Sequence, residues 1–177
     1  MSKGIAMLRY IRTYPTLVKR MLYFAYVYPH MIYCLPAWSG TFNIYLERIN
    51  LLQKKAIRLI DNAPYLAHTA PIAKQCKLLL FNDVCIVKVA KLMHSVFYKH
   101  DYVKFQLTHN IFVREVRNYN MRNLFNFPVS FCRTACRKRS VFMNGIKIWN
   151  SLSIDFRKEP NILNFTVNLS ELLIDLY

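Results

Sequence analysis

Nine carboxylates are spread along this 177-residue sequence, and they are its only candidates for binding divalent metals through oxygen. Asp61, Asp83, Asp101, Asp155 and Asp175 each stand alone, as do Glu47, Glu115, Glu159 and Glu171. Two-metal phosphoryl transfer needs carboxylates that converge on the ions. With no Asp-Asp pair, such a site would have to be assembled wholly by folding. The glycines stand at 4, 40 and 145, so a glycine-rich phosphate cradle cannot be built. No Gly-x-Ser-x-Gly elbow is present. Cysteines and histidines both occur, but nothing local joins them into a nucleophile pair. Cys132-x3-Cys136 has the look of half a zinc site, yet no second pair follows it. His94, His100 and His109 lie upstream without finger spacing. The expectation is a chain with no catalytic residues, no metal and no cofactor of its own.

The positive charges tell more. Lys plus Arg number 25 against nine acids, a net charge of +16. A field of that sign attracts polyanions, because binding to phosphates releases condensed counterions. The alternatives are an anionic membrane surface, an acidic partner, or a merely soluble basic protein. Residues 1–60 hold nine basic residues against Glu47 alone, and residues 111–150 hold eight against Glu115. The last 27 residues are net acidic, with four acids against Arg157 and Lys158. Phosphate contacts are therefore expected at the two ends of the main body and not in the tail.

Hydrophobic residues make up 54% of the chain, enough for a core and too many for global disorder. The five cysteines, at 34, 76, 85, 132 and 136, are odd in number and irregular in spacing. Reduced thiols in an intracellular protein, cytoplasmic or nuclear, are the expected reading. The sequons at Asn164 and Asn168 are short patterns of the kind chance supplies. Met21 to Leu46 carries no Lys, Arg, Asp or Glu and is long enough to span a bilayer. Pro29, His30 and Pro36 interrupt it, and Tyr23, Tyr26, Tyr28 and Tyr33 favour an interface over a bilayer centre. A buried helix, a turn and a short second helix are expected there instead, with no membrane partner.

The elements that would position the basic residues follow from periodicity. A short helix is expected over 1–12 and a second to about Tyr28, with Leu17, Met21, Leu22, Ala25 and Tyr28 on one face and Pro29 ending or kinking it. The clearest helix runs from about Asn43 to Ile60. Its expected apolar stripe is Tyr45, Ile49, Leu52, Ala56 and Leu59. A short helix over about 70–79 and a long one over 82–99 follow, with His94 read as a packed histidine. Phe125 to Phe131 alternates apolar and polar residues, which predicts a strand. Val141 to Gly145 starts a second strand or a turn into helix, and the tail from about Asn161 closes as a helix. The fold class is thus mainly α: a helical unit over 1–100 and a smaller mixed α+β unit over 101–177.

Two basic sets emerge. Arg48, Lys54, Lys55 and Arg58 occupy the surface of the 43–60 helix, either as a solvated face or as one that tracks phosphates. Arg117 and Arg122, then Arg133, Arg137, Lys138 and Arg139, are interleaved with Tyr119, Phe125 and Phe127. Cations there can contact phosphates and exposed rings can stack on unpaired bases. For Phe125, Phe127 and Phe131 the favoured reading is core residues on a strand, and for the Arg/Lys cluster it is nucleic-acid contact.

Five blocks of the sequence resemble a known family. They are Ser2-Lys-Gly-Ile-Ala-Met-Leu-Arg9, and Tyr28-Pro-His-Met-Ile-Tyr-Cys34 with Trp38. Next comes Leu51-Leu-Gln-Lys-Lys-Ala-Ile-Arg-Leu-Ile60, running on through Tyr65-Leu-Ala-His-Thr-Ala-Pro71. Arg117-Asn-Tyr-Asn-Met-Arg122 and Gly145-Ile-Lys-Ile-Trp-Asn-Ser-Leu152 complete the set. In this order they resemble the region after the catalytic core in reverse transcriptases of non-LTR retrotransposons, of the jockey-like LINE type. The resemblance covers residues 2–152. It implies a thumb-like helical segment and C-terminal extension of an RNA-directed DNA polymerase, lying beside template–primer and RNA. The family's aromatic-x-Asp-Asp signature is absent, so no catalytic role carries over and no independent activity is implied. A match that opens almost at Met1 is what a 5′-truncated copy of a transposable element would give. The implied partners are RNA or DNA and a polymerase domain. The rival expectations are a structural remnant that needs a partner domain, and a membrane-associated chain using residues 21–38.

Overall fold

A computed structural model of the chain describes residues 1–98, 125–127, 129 and 131–177. The fold is mainly α, and no strand occurs among the described residues. Two compact units are present: Met1–Cys85 with Ser170–Tyr177, and Ile86–Leu169. The boundary expected near residue 100 falls outside the described residues.

The first unit begins with α1 (Ser2–Tyr10) and α2 (Thr16–Leu22), joined by a turn that ends at Pro15. The backbone then widens into one π-helical turn, Tyr23–Val27, before α3 (Tyr28–Ile32). Pro29 explains the widening. It sits in the first turn of α3, has no N–H to donate, and its ring would collide with a carbonyl one turn back in a continuous helix. The expected apolar face of this stretch is only partly the buried one: Leu22 and Tyr28 pack against the core. Leu17 and Met21 are exposed, whereas Lys19, Tyr23 and Val27 are buried. Tyr23 and Val27 join the core with Ile5 and Leu8 of α1, so packing against α1 turned the buried arc away from Leu17 and Met21.

After α4 (Leu35–Trp38) comes α5 (Asn43–Asp61), then α6 (Thr69–Gln75) and α7 (Phe81–Tyr98). Asn62, in the left-handed conformation, ends α5, and the Ala63 N–H returns to the Arg58 carbonyl. The core of the first unit gathers Ala56, Ile57 and Ile60 of α5 with Ile72, Ala73, Cys76 and Leu78. A second cluster joins Met31, Leu35, Phe81 and Val84, with the Trp38 ring stacked on Phe81 at 6.0 Å. No helix among the described residues is long and apolar enough to cross a membrane.

The second unit holds α8 (Ala135–Arg139), α9 (Val141–Ser151), α10 (Ile154–Lys158) and the start of α11 (Ile162–Asp175), whose residues from Ser170 on belong to the first unit. Its core is aromatic. Trp149 is fully buried and lies 5.5 Å from Phe97, 5.8 Å from Phe127 and 5.9 Å from Phe165, centroid to centroid. His94 is packed there as well, its Nε2 2.8 Å from the Glu159 carbonyl oxygen.

The small α+β unit expected over 101–177 is corrected: its described part is helical. The strand pattern at 125–131 is met without a strand. The Asn150 side chain accepts from the Phe127 N–H at 3.0 Å and donates to the Phe127 carbonyl at 2.9 Å. Trp149 Nε1 donates to the Phe125 carbonyl at 2.8 Å. These side chains supply the hydrogen bonds that a neighbouring strand would give. Val141 to Gly145 takes the helical alternative. Ser140 caps it, Oγ accepting from the Met143 N–H, and Met143, Ile146 and Trp149 recur on the buried face.

Candidate nucleic-acid interface

Four of the expected contact residues lie on α5. The residues that bury this helix are Gln53, Ala56, Ile57 and Ile60. This arc is rotated from the stripe read in the sequence: Tyr45 is exposed, and Ile49, Leu52 and Leu59 are half-buried. Gln53 is the reason. Its Nε2 donates to the Tyr23 hydroxyl at 3.0 Å and to the Leu79 carbonyl at 2.8 Å, so a polar side chain is accommodated inside.

At about 100° per residue, Arg48 and Lys55 fall within about 20° of each other, and Arg58 and Lys54 lie farther round the same side. Arg48, Lys55 and Arg58 therefore stand across the helix from the centre of the buried arc, whereas Lys54, about 60° round from Ile57, flanks it. Arg48 is exposed, and Lys54, Lys55 and Arg58 are half-buried. Arg48 and Lys55 are separated by about 10 Å along the axis. This face is not purely basic, since Ile44 and Leu51 are 64% exposed on it.

Arg58 is the most constrained of the four. Its Nε donates to the Ala67 carbonyl at 2.8 Å, and its guanidinium carbon lies 6.0 Å from the centre of the Tyr65 ring. The bond uses one of the five donors of a guanidinium and orients the group. Tyr65 is itself 78% exposed, so the pair forms a surface cation–π contact.

The second set lies in the other unit. Arg133, Arg137 and Lys138 are exposed and Arg139 is half-buried. Thr134 caps α8, its Oγ1 accepting from the Arg137 N–H at 3.4 Å, and Ser140 Oγ donates to the Arg137 carbonyl at 2.7 Å. Arg137, Lys138 and Arg139 occupy the last turn of this helix, where the carbonyl end of the dipole favours cations. Of the three phenylalanines read as core, Phe127 is buried and Phe125 half-buried, but Phe131 is 90% exposed beside Arg133. That reading is corrected for Phe131, which offers an open ring next to cations. Arg117 and Arg122 fall outside the described residues.

Each basic set is thus coherent within its own unit. Among the described residues, no group of three or more His, Cys, Asp and Glu is placed to hold a metal ion. All five cysteines are free thiols. Burial and the nearby Asp83 carboxylate push the Cys85 thiol up to about 12, which keeps it protonated and unreactive at neutral pH. Comparisons with protein-family models, with curated proteins and with solved structures gave no match.

Proposed function

We propose that this chain binds nucleic acid through phosphates, with no polymerase activity of its own. The observation that carries the reading is the geometry of α5. Arg48, Lys55 and Arg58 stand across the helix from its buried residues, with Lys54 at the border of that arc, in a chain of net charge +16. Cations presented on one side of a rigid helix meet a polyanion without first paying to gather. The exposed Arg133, Arg137 and Lys138, with the open ring of Phe131, supply a second contact region.

The resemblance of residues 2–152 to the post-catalytic part of jockey-like non-LTR reverse transcriptases supports the same reading. On it, the chain is a thumb-like fragment of a retroelement RNA-directed DNA polymerase, acting within the cell on RNA or template–primer. The test is the affinity of the purified chain for a structured RNA and a DNA duplex across a range of salt. A steep fall of log affinity with log salt is expected, its slope counting the phosphates contacted. Lys55→Glu should weaken binding and flatten that slope. Affinity that ignores salt would end the proposal.

A second reading makes the chain a domain that needs a partner. It is favoured by the exposure of Leu17, Met21, Ile44, Leu51 and Leu66, all above 60%. Strong binding of a hydrophobic dye by the isolated chain, with no affinity for nucleic acid, would establish it in place of the first.

A further inference from the structure

We infer that the end of α1 and the turn after it form a stacking platform for single-stranded nucleic acid, built by Tyr10 and Tyr14 with Arg9 and Arg12. The inference rests on the reading of the chain as a nucleic-acid binder and adds a site that shares no residue with α5 or α8.

The platform begins with exposure. Tyr10 is 91% exposed and Tyr14 is 56% exposed. Gly4, Ile5 and Leu8 face the core from α1, which leaves Lys3 and Tyr10, seven residues apart, on one open side. The chain then turns rather than continuing: the Arg12 N–H returns to the Arg9 carbonyl and the Tyr14 N–H to the Ile11 carbonyl. Within this short turn Arg9, Tyr10, Arg12 and Tyr14 are all exposed.

Charge selects the occupant. No acidic residue occurs from Met1 to Leu46, and Lys3, Arg9 and Arg12 are all open to solvent. Base stacking on aromatic rings is tolerant of sequence, and the cations alongside follow the phosphates. A duplex hides the faces of its bases, so two open rings suit an unpaired strand. The planar guanidinium of an arginine fits the phosphate of a strand bidentately, and the rings beside the cations are placed for the bases such a strand carries.

The test uses the full chain, a labelled oligouridylate, a duplex of the same length and vesicles rich in phosphatidylserine. Tyr10→Ala with Tyr14→Ala should weaken oligouridylate binding at least about tenfold and leave duplex binding unchanged. Tyr10→Phe with Tyr14→Phe should keep full affinity, because the ring is what stacks. Both positions are exposed, so the fold tolerates the changes. If the wild-type chain binds and the alanine pair binds oligouridylate equally well, the platform is wrong while the broader reading stands. If the alanine pair loses only vesicle binding, the surface belongs to a membrane and the inference falls. If the wild-type chain binds neither nucleic acid, the platform falls together with the reading it rests on.

Discussion

The Tyr177 hydroxyl donates to Asp83 Oδ2 at 2.6 Å and accepts from the Leu80 N–H at 2.8 Å. The phenol thus bridges two groups at the start of α7, within the first unit. Its ring packs against the core, and Lys74 Nζ donates to the Asp175 carbonyl at 2.9 Å from the same side. Tyr177→Phe keeps the ring and removes the bridge, leaving the Leu80 N–H without that acceptor. The expected loss is about 1–3 kcal/mol, read by urea unfolding. Faster exchange of the Leu80 amide should accompany it. An unchanged midpoint would show that water replaces the hydroxyl at no cost.

Alkaline pH should unfold the chain earlier than a typical domain of its size. Burial raises the Tyr23 hydroxyl from its ordinary 10.0 to about 12, and burial raises the Cys85 thiol from 9.0 to about 12. From about pH 9 for Cys85 and about pH 10 for Tyr23, up to about 12, the folded chain holds the proton that the unfolded chain has released. Stability is therefore fully present below about pH 9 and falls as pH rises, by about 1.4 kcal/mol per pH unit for each group. Urea midpoints between pH 8 and 11 measure the slope. Cys85→Ala should flatten its first part.

Gln53 is fully buried, and its two donated bonds join α5 to Tyr23 and to Leu79. Gln53→Ala opens a cavity and strips the Leu79 carbonyl of this donor. A loss of about 2–4 kcal/mol is expected, checked by thermal unfolding. A loss under about 1 kcal/mol would show that the network is dispensable.

Two glycines make a paired prediction. A Cβ on Gly4 would stand 2.9 Å from the Tyr26 backbone oxygen and 3.0 Å from Val27 Cγ2. A Cβ on Gly145 would meet Met93 Sδ at 2.6 Å and Cγ at 2.9 Å. Alanine gains about 1 kcal/mol of helix propensity over glycine at either place. The methionine side chain can swing aside and backbone cannot. Gly4→Ala should therefore destabilise by about 1–3 kcal/mol, and Gly145→Ala by less. The reverse order in thermal melts would refute this account.

Arg58 and Arg48 should separate stability from binding. Arg58→Ala removes the bond to Ala67 and the contact with Tyr65, at an expected cost of about 1 kcal/mol. Arg48 is exposed, and Arg48→Ala should leave unfolding unchanged within about 0.5 kcal/mol while lowering affinity for RNA. Equal effects of both variants on stability would contradict the assignment.

The sequence alone determined much of the helical layout. Asn43–Asp61 lies within a residue of both boundaries read from periodicity, and Phe81–Tyr98 starts within a residue of its own, because long amphipathic stripes bounded by turn residues leave little choice. Charge likewise marked α5 and the Arg133–Arg139 stretch as basic, since formal charge needs no fold. The tertiary structure decided which side of each helix is inside. On α5 the buried arc turned to admit Gln53, because Tyr23 and the Leu79 carbonyl offered it partners from distant parts of the chain. On α2 and the π-helical turn, Lys19, Tyr23 and Val27 went in and Leu17 and Met21 stayed out. The alternation at Phe125 to Phe131 predicted a strand, where the described residues are instead hydrogen-bonded to the Asn150 and Trp149 side chains. Periodicity records how apolar residues recur along a chain. Only the fold decides which partners satisfy the polar atoms between them, and unsatisfied polar atoms are what burial penalises.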